Sequence, residues 1–296
     1  MPLTLPLSQL PASIPSPSEH TWYLGVLPVR AYALALLAGI AVAVWITVAR
    51  WRARGGDGWR VLDVTFWAVP FGLVGARAYH VLTTPDTYLA PGADPWAVLR
   101  LWEGGLAVWG AVPLGALGAW IACRIHRLPF ASLADAAAPG LLVGQAVALV
   151  GSWFNQELYG LPADLPWALR IAPEHLVTNP ATGVAYPEGT TFHPLFGYEI
   201  LWCLVTAALL LFLDRRFNFG HGRVFWAYVV VYTLGRVWIE MMRIDETETL
   251  LGLRLNVWTA IVLGLVALAV SIVLARRDRA PAAETTAEGP ETTQGA

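Results

Sequence analysis

Tyr232, Arg236, Glu240 and Arg243 follow one another at intervals of four, four and three residues, in and just after the apolar stretch Val224–Met242. Those intervals put all four side chains on one face of a helix. A guanidinium inside an apolar span is expensive, and a carboxylate one turn away offsets part of that cost. Two readings follow: an internal salt bridge, or a site for an anion in which Arg236 donates and Glu240 orients it. Arg77 and His80 lie three residues apart in an earlier apolar stretch, with Tyr79 between them. His80 on its own reads equally well as a satisfied core histidine. Gly104 and Gly105 open the run GGLAVWGAVPLGALGAW after Glu103. At that helix start, backbone N–H groups can face an anion. The small residues that follow, Gly110, Ala111, Gly115 and Gly118, either permit close helix approach or leave room for a ligand. At Gly115–Gly118, close packing is the expected outcome.

The densest polar stretch is GQAVALVGSWFNQELYGLP, Gly144 to Pro162. It reads as the end of an apolar helix that breaks at Gly151. It then releases Trp153, Asn155, Gln156, Glu157 and Tyr159 where a membrane helix meets water. Such groups either cap the helix in the headgroup region or face a polar cavity. Arg30 and Tyr32 open the first apolar span, and His193, Pro194, Tyr198 and Glu199 open the fifth. Each set alone is an ordinary interfacial anchor. Together they gather more Arg, Tyr, His and carboxylate at one leaflet depth than packing requires.

The elements that carry these groups are membrane spans. Of the 296 residues, 56% are hydrophobic and 14% charged, with fifteen Trp and no Lys. The mean hydropathy is +0.54. A soluble domain carries about 25% charge, so the composition describes an all-α polytopic membrane protein. A span needs about 20 mostly apolar residues. Seven segments qualify: Val29–Ala49, Val61–Leu82, Leu106–Ile125, Ala131–Val150, Pro194–Leu213, Val224–Met242 and Val257–Ala275. Arg clusters follow the first, third, fifth and seventh (Arg50, Arg52, Arg54 and Arg60; Arg124 and Arg127; Arg215, Arg216 and Arg223; Arg276, Arg277 and Arg279). The positive-inside rule then predicts the N-terminus outside and the C-terminus in the cytoplasm.

Residues 1–20, rich in Pro and Ser, lack the basic and apolar regions of a cleavable signal peptide and read as an exposed arm. Residues 21–279 form the membrane body, and 280–296 read as a disordered tail. Two long outward loops, Thr83–Gly105 and Gly151–His193, are where function is expected. Cys123 and Cys203 sit in apolar spans without pairing or ligand spacing, so no metal or diffusible cofactor is expected, nor a nucleic-acid partner. No internal repeat or broken midplane helix supports a transporter or channel.

These motifs, taken in order, resemble a known family. RAYAL, GARAYHVLT, WEGGLAVWG, GSWFNQELYG, FHPLFGYEILW and LGRVWIEMMRID are similar to the prolipoprotein diacylglyceryl transferases over about residues 20 to 275. The resemblance implies seven spans in the plasma membrane of a bacterium, and a cavity open laterally to lipid. It implies transfer of the diacylglyceryl group of phosphatidylglycerol to the lipobox cysteine thiol of a preprolipoprotein signal peptide, with glycerol 1-phosphate leaving. The phosphate then calls for Arg donors, here Arg236 with Arg77 or Arg30. The thiol calls for a base, with His80 and His193 as candidates. The resemblance further places Tyr32, Gly104, Gly105, Asn155, Glu157, Gly160, Tyr232, Arg236 and Glu240 in the active cavity, with Ser152 beside them. In many members an Arg stands at the position of Leu149, an Asn at that of Ser152 and an Arg at that of Leu161. Some carry His where Trp109 stands. Two functions therefore remain: a working transferase, or a catalytically weak or inactive paralogue that binds lipid or lipoprotein.

Overall fold

The structure, a computed structural model, describes residues 13–25, 27–90, 92, 94–101, 104–179, 182–245, 247 and 249–277. The first twelve residues of the expected arm, Glu103, Arg279 and the expected tail lie outside the described residues.

Among the described residues, seven helices are long and apolar enough to cross a membrane. They are α1 (Ala31–Ala53), α2 (Gly58–Thr83), α4 (Val108–Ile125), α5 (Phe130–Phe154), α6 (Leu195–Phe217), α7 (Arg223–Met242) and α8 (Leu255–Arg277), with a single-turn helix α3 (Asp86–Leu89) between α2 and α4. Each coincides with one expected span. Local chemistry sets their ends. Asp57 caps α2 by accepting from the Trp59 N–H at 3.0 Å. The last turn of α6 closes on Asn218, whose left-handed backbone (φ 47°) returns its N–H to the Asp214 carbonyl.

The fold is mostly helical. Short strands occupy the connections: β1 (Ile14–Pro15), β2 (Thr21–Leu24), β3 (Leu27–Arg30), β4 (Leu169–Arg170), β5 (Thr191–Phe192), β6 (Thr249–Leu250) and β7 (Leu253–Arg254). β4 is the middle strand of a small sheet, parallel to β1 and antiparallel to β5. The described part of the arm is therefore not simply exposed. Ser13 is buried, and the Ile14 N–H donates to the Ala168 carbonyl at 2.6 Å. Tyr159, Leu169, Ile171, Phe192 and Ile244 form the core beneath the sheet.

The chain falls into two compact units, Met1–Ala43 with Ala138–Ala296, and Val44–Ala137. In the second, α2 and α4 lie along each other. A Cβ placed on Gly110 would fall on the Gly75 carbonyl oxygen. One on Gly118 would lie 2.8 Å from Phe71 Cβ, while Gly115 has an ordinary 3.4 Å neighbour in the Ala68 carbonyl. Close packing is thus the use of these small residues, tightest at Gly75–Gly110. At one end, Trp51, Val61, Val64, Ala122, Cys123 and Leu133 form an apolar core.

In the first unit, α7 packs between α6 and α8, around a core that includes Leu142, Cys203, Leu210 and Val224. The backbones of α1 and α5 touch where a Cβ on Gly144 would lie 2.6 Å from the Gly39 carbonyl oxygen. The expected break at Gly151 does not occur, because α5 continues to Phe154. Gly151 serves proximity instead: a Cβ there would come within 2.8 Å of Tyr32 Cα.

Candidate functional site

In the first unit, the face of α7 predicted from spacing meets a carboxylate from α6. Arg236 Nη1 donates to Glu199 Oε2 at 2.9 Å, and the Tyr232 hydroxyl donates to Glu199 Oε1 at 3.1 Å. Arg236 Nη2 lies 3.0 Å from Glu240 Oε2. That approach is off the hydrogen-bond direction, so it is an ion pair without a directed N–H bond. Glu240 is fully buried, and its Oε1 accepts from Arg254 Nε at 3.1 Å and from Asn256 Nδ2 at 3.0 Å. Beyond it, Arg243 grips Asp245 through two bonds of 2.8 and 2.9 Å, and Arg254 Nη2 joins the same carboxylate at 3.0 Å. Three carboxylates and three guanidiniums alternate, so no buried charge in the string is left unpaired.

Burial pushes the Asp245 carboxyl up, but the Arg243 hydrogen bond and the Arg243 and Arg254 charges outweigh it, leaving the group below the ordinary carboxylate value.

The turn after α5 supplies the second part. Gln156 (φ 54°) and Leu158 (φ 59°) both adopt the left-handed region that non-glycine residues rarely occupy. The path divides the side chains. Gln156 is buried and bonds the loop, accepting from the Ala172 N–H at 2.8 Å and donating to the Pro17 carbonyl at 3.2 Å. Asn155 donates instead to Glu157 Oε1 at 3.3 Å, and Glu157 is within electrostatic range of Tyr32. Tyr159 secures the next segment, donating to the His175 carbonyl at 2.6 Å and accepting from the Val177 N–H at 2.9 Å. Burial raises the Tyr159 phenol above its ordinary pKa, against the Val177 bond that lowers it.

Gly160 ties this turn to the end of α7. It bridges to Arg243, and a Cβ there would lie 2.9 Å from the Met242 carbonyl oxygen and 3.0 Å from Leu195. Ser152 is buried in the last turn of α5. His193 is bonded to the Tyr198 hydroxyl at 2.9 Å, and Trp167 Nε1 donates to the same hydroxyl at 3.1 Å.

The second unit brings together Arg77, His80, Gly104 and Gly105. The buried Arg77 guanidinium donates to the carbonyls of Val98 (2.8 Å), Gly104 (2.6 Å), Gly105 (3.1 Å), Arg100 (3.3 Å) and Ala97, and lies over the Tyr88 ring. The helix start expected at Gly104 and Gly105 does not occur there; α4 starts at Val108. Their φ values of 95° and 70° bring their carbonyls to Arg77, and a Cβ on Gly105 would lie 2.6 Å from the His80 ring. At Arg77 the loop carbonyls take the acceptor place that a lipid phosphate had been expected to take.

Sequence reasoning named Glu199 only among the polar groups that open the fifth span, without joining it to Arg236, and did not place Arg254 or Asn256 in the site. The last two lie 14 and 16 residues after Glu240, far beyond the single turn over which residues of one helix touch. The only signal was polar residues abutting the apolar α8. Among the described residues, no group of three or more His, Cys, Asp or Glu is placed to hold a metal.

The family model for prolipoprotein diacylglyceryl transferase matches residues 19–273. The chain belongs to that family. A family relative from Streptomyces coelicolor, named phosphatidylglycerol–prolipoprotein diacylglyceryl transferase 2, is 50% identical over 270 residues, covering 90% of this chain and 82% of its own. Members from Paenarthrobacter aurescens (52% over 273 residues; 90% and 85% covered) and Streptomyces griseus (51% over 265; 90% and 78%) carry the same name without the number. Against the family pattern, Leu149 is half-buried in α5, while Leu161 and Trp109 are exposed.

Proposed function

We infer that this chain transfers the diacylglyceryl group of phosphatidylglycerol to the lipobox cysteine of a prolipoprotein, releasing glycerol 1-phosphate. The observation that carries the reading is about 50% identity, across nine-tenths of the chain, to relatives named for that reaction. The thiol sulfur attacks the glyceryl carbon that bears the phosphate ester. An S–C bond forms, the C–O bond breaks, and the electron pair leaves on the phosphate oxygen. The thiol, with a pKa of about 8.5, must lose its proton as it attacks. Negative charge on the phosphate grows along the same path, so a fixed guanidinium binds the transition state more strongly than the substrate.

In this reading Arg236 contacts the phosphate, Glu240 holds its direction and the Tyr232 hydroxyl adds a donor. Tyr32, Ser152, Asn155, Glu157 and Gly160 shape the headgroup side of the same unit. Arg77, with Gly104 and Gly105, acts by building the loop after α3, and His80 beside Gly105 is the candidate acceptor of the thiol proton, with His193 the other. The protein is multi-pass in the bacterial plasma membrane, its body spanning 21–279, with the N-terminus outside and the C-terminus cytoplasmic. That orientation is supported by the Arg-rich ends of α1, α6 and α8. The lipobox segment enters laterally from lipid.

The test is complementation of a strain depleted of its own transferase, with a lipobox reporter followed by mass. The reporter is expected to gain the diacylglyceryl mass, and Leu149→Arg with Ser152→Asn to change its rate by no more than about threefold. An unmodified reporter with the protein folded in the membrane, rescued by the double change, would overturn the reading.

A further inference from the structure

The Arg236 guanidinium is shared between two carboxylates, and only one belongs to its own helix. Glu240 is committed elsewhere: its other oxygen is taken by Arg254 and Asn256, which fix it to the beginning of α8. Glu199, from α6, stands differently. One oxygen accepts from Arg236 and the other from Tyr232, and its side chain is 7% exposed. The interval of four between Tyr232 and Arg236 puts the two on one face of α7 but leaves both side chains free to turn. A rigid carboxylate on the neighbouring helix, accepting from both, sets the separation and direction of phenol and guanidinium together.

We propose that Glu199 is a positioning residue of the transferase site, acting through Arg236 and Tyr232 on the lipid phosphate. The inference rests on the reading of Arg236 as a phosphate contact, and it deepens that reading. Charge balance alone makes the opposite demand. Neutralising Glu199 leaves Arg236 with one counter-charge instead of two, which strengthens ground-state attraction for an anionic lipid. A positioning role instead lowers turnover, because the donors are no longer aimed where charge develops. The two effects fall on different kinetic constants.

The experiment uses the full chain in detergent with phosphatidylglycerol and a thiol-bearing lipobox peptide, transfer being read as peptide mass. Glu199→Gln is expected to lower kcat about 10- to 100-fold while KM for phosphatidylglycerol stays within about threefold or falls. Glu199→Asp, which keeps the charge on a shorter arm, should lie between Glu199→Gln and the unchanged protein. Glu199→Gln combined with Arg236→Lys should be no slower than Arg236→Lys alone, since both remove the same positioning. A variant as fast as the unchanged chain overturns the proposal. So does a double variant whose losses multiply, or a loss of activity matched wholly by a lower melting temperature. Should Glu199→Gln not fold, the same comparison is made with Glu199→Asp and its double variant. An inactive unchanged protein would overturn the function reading and this inference with it; an active one with an indifferent Glu199 would overturn the inference alone.

Discussion

Arg236 is the most open guanidinium of its string, its side chain 24% exposed against 15% for Arg243 and 13% for Arg254. It is the member best placed to meet a ligand while two carboxylates fix its direction. Arg236→Ala should cut transfer about 100-fold or more, the cost of removing a donor aimed at developing charge. Arg236→Lys should recover little of it, because an ammonium cannot fork between Glu199 and Glu240. Peptide mass measures both, and a lysine variant at wild-type rate would contradict the forked geometry. Asp245 gives a second residue-scale prediction. Its folded pKa lies below the ordinary carboxylate value, so the carboxylate adds stability at neutral pH. That contribution is lost as pH falls from about 4 through the lower folded value. The difference in melting temperature between the unchanged protein and Asp245→Asn should therefore shrink between neutral and acid pH. A difference constant over that range would exclude the link.

At the scale of elements, the register of α2 on α4 depends on two glycines more than on their neighbours. Gly110→Ala drives a methyl into the Gly75 backbone, which cannot yield as a side chain would, and should cost about 1 to 3 kcal/mol. Gly115→Ala meets only an ordinary 3.4 Å neighbour and should be close to neutral. Thermal unfolding in detergent separates the two, and equal losses would mean that the small-residue row acts by composition rather than by contact. The same logic explains Gly151 and Gly160. In sequence, each looks like a place for the chain to break or a ligand to sit. In the structure, Gly151 admits the Tyr32 backbone and Gly160 admits that of Met242.

At the scale of the whole molecule, the charge pattern makes a prediction about sidedness. A cysteine introduced at Ser18 should react with a membrane-impermeant maleimide in intact spheroplasts, and one at Arg277 only after permeabilisation. The reverse labelling would overturn the orientation and, with it, the side on which the lipid phosphate is met. Cys123 and Cys203 are buried and should leave the background low.

The sequence by itself determined the seven spans, because an apolar run long enough to cross a bilayer is a local property that no tertiary contact overrides. It also determined the Tyr232–Arg236–Glu240 face, since a helix repeats every 3.6 residues whatever surrounds it. Tertiary structure alone decided the partners of that face. Glu199 arrives from α6 and Arg254 with Asn256 from the start of α8, at separations far beyond the single turn over which residues of one helix touch. It likewise decided that Arg77 binds its own loop. Five carbonyls converge there only after Gly104 and Gly105 take left-handed backbones, and a residue's type fixes what it can donate but not which acceptors the chain will bring to it.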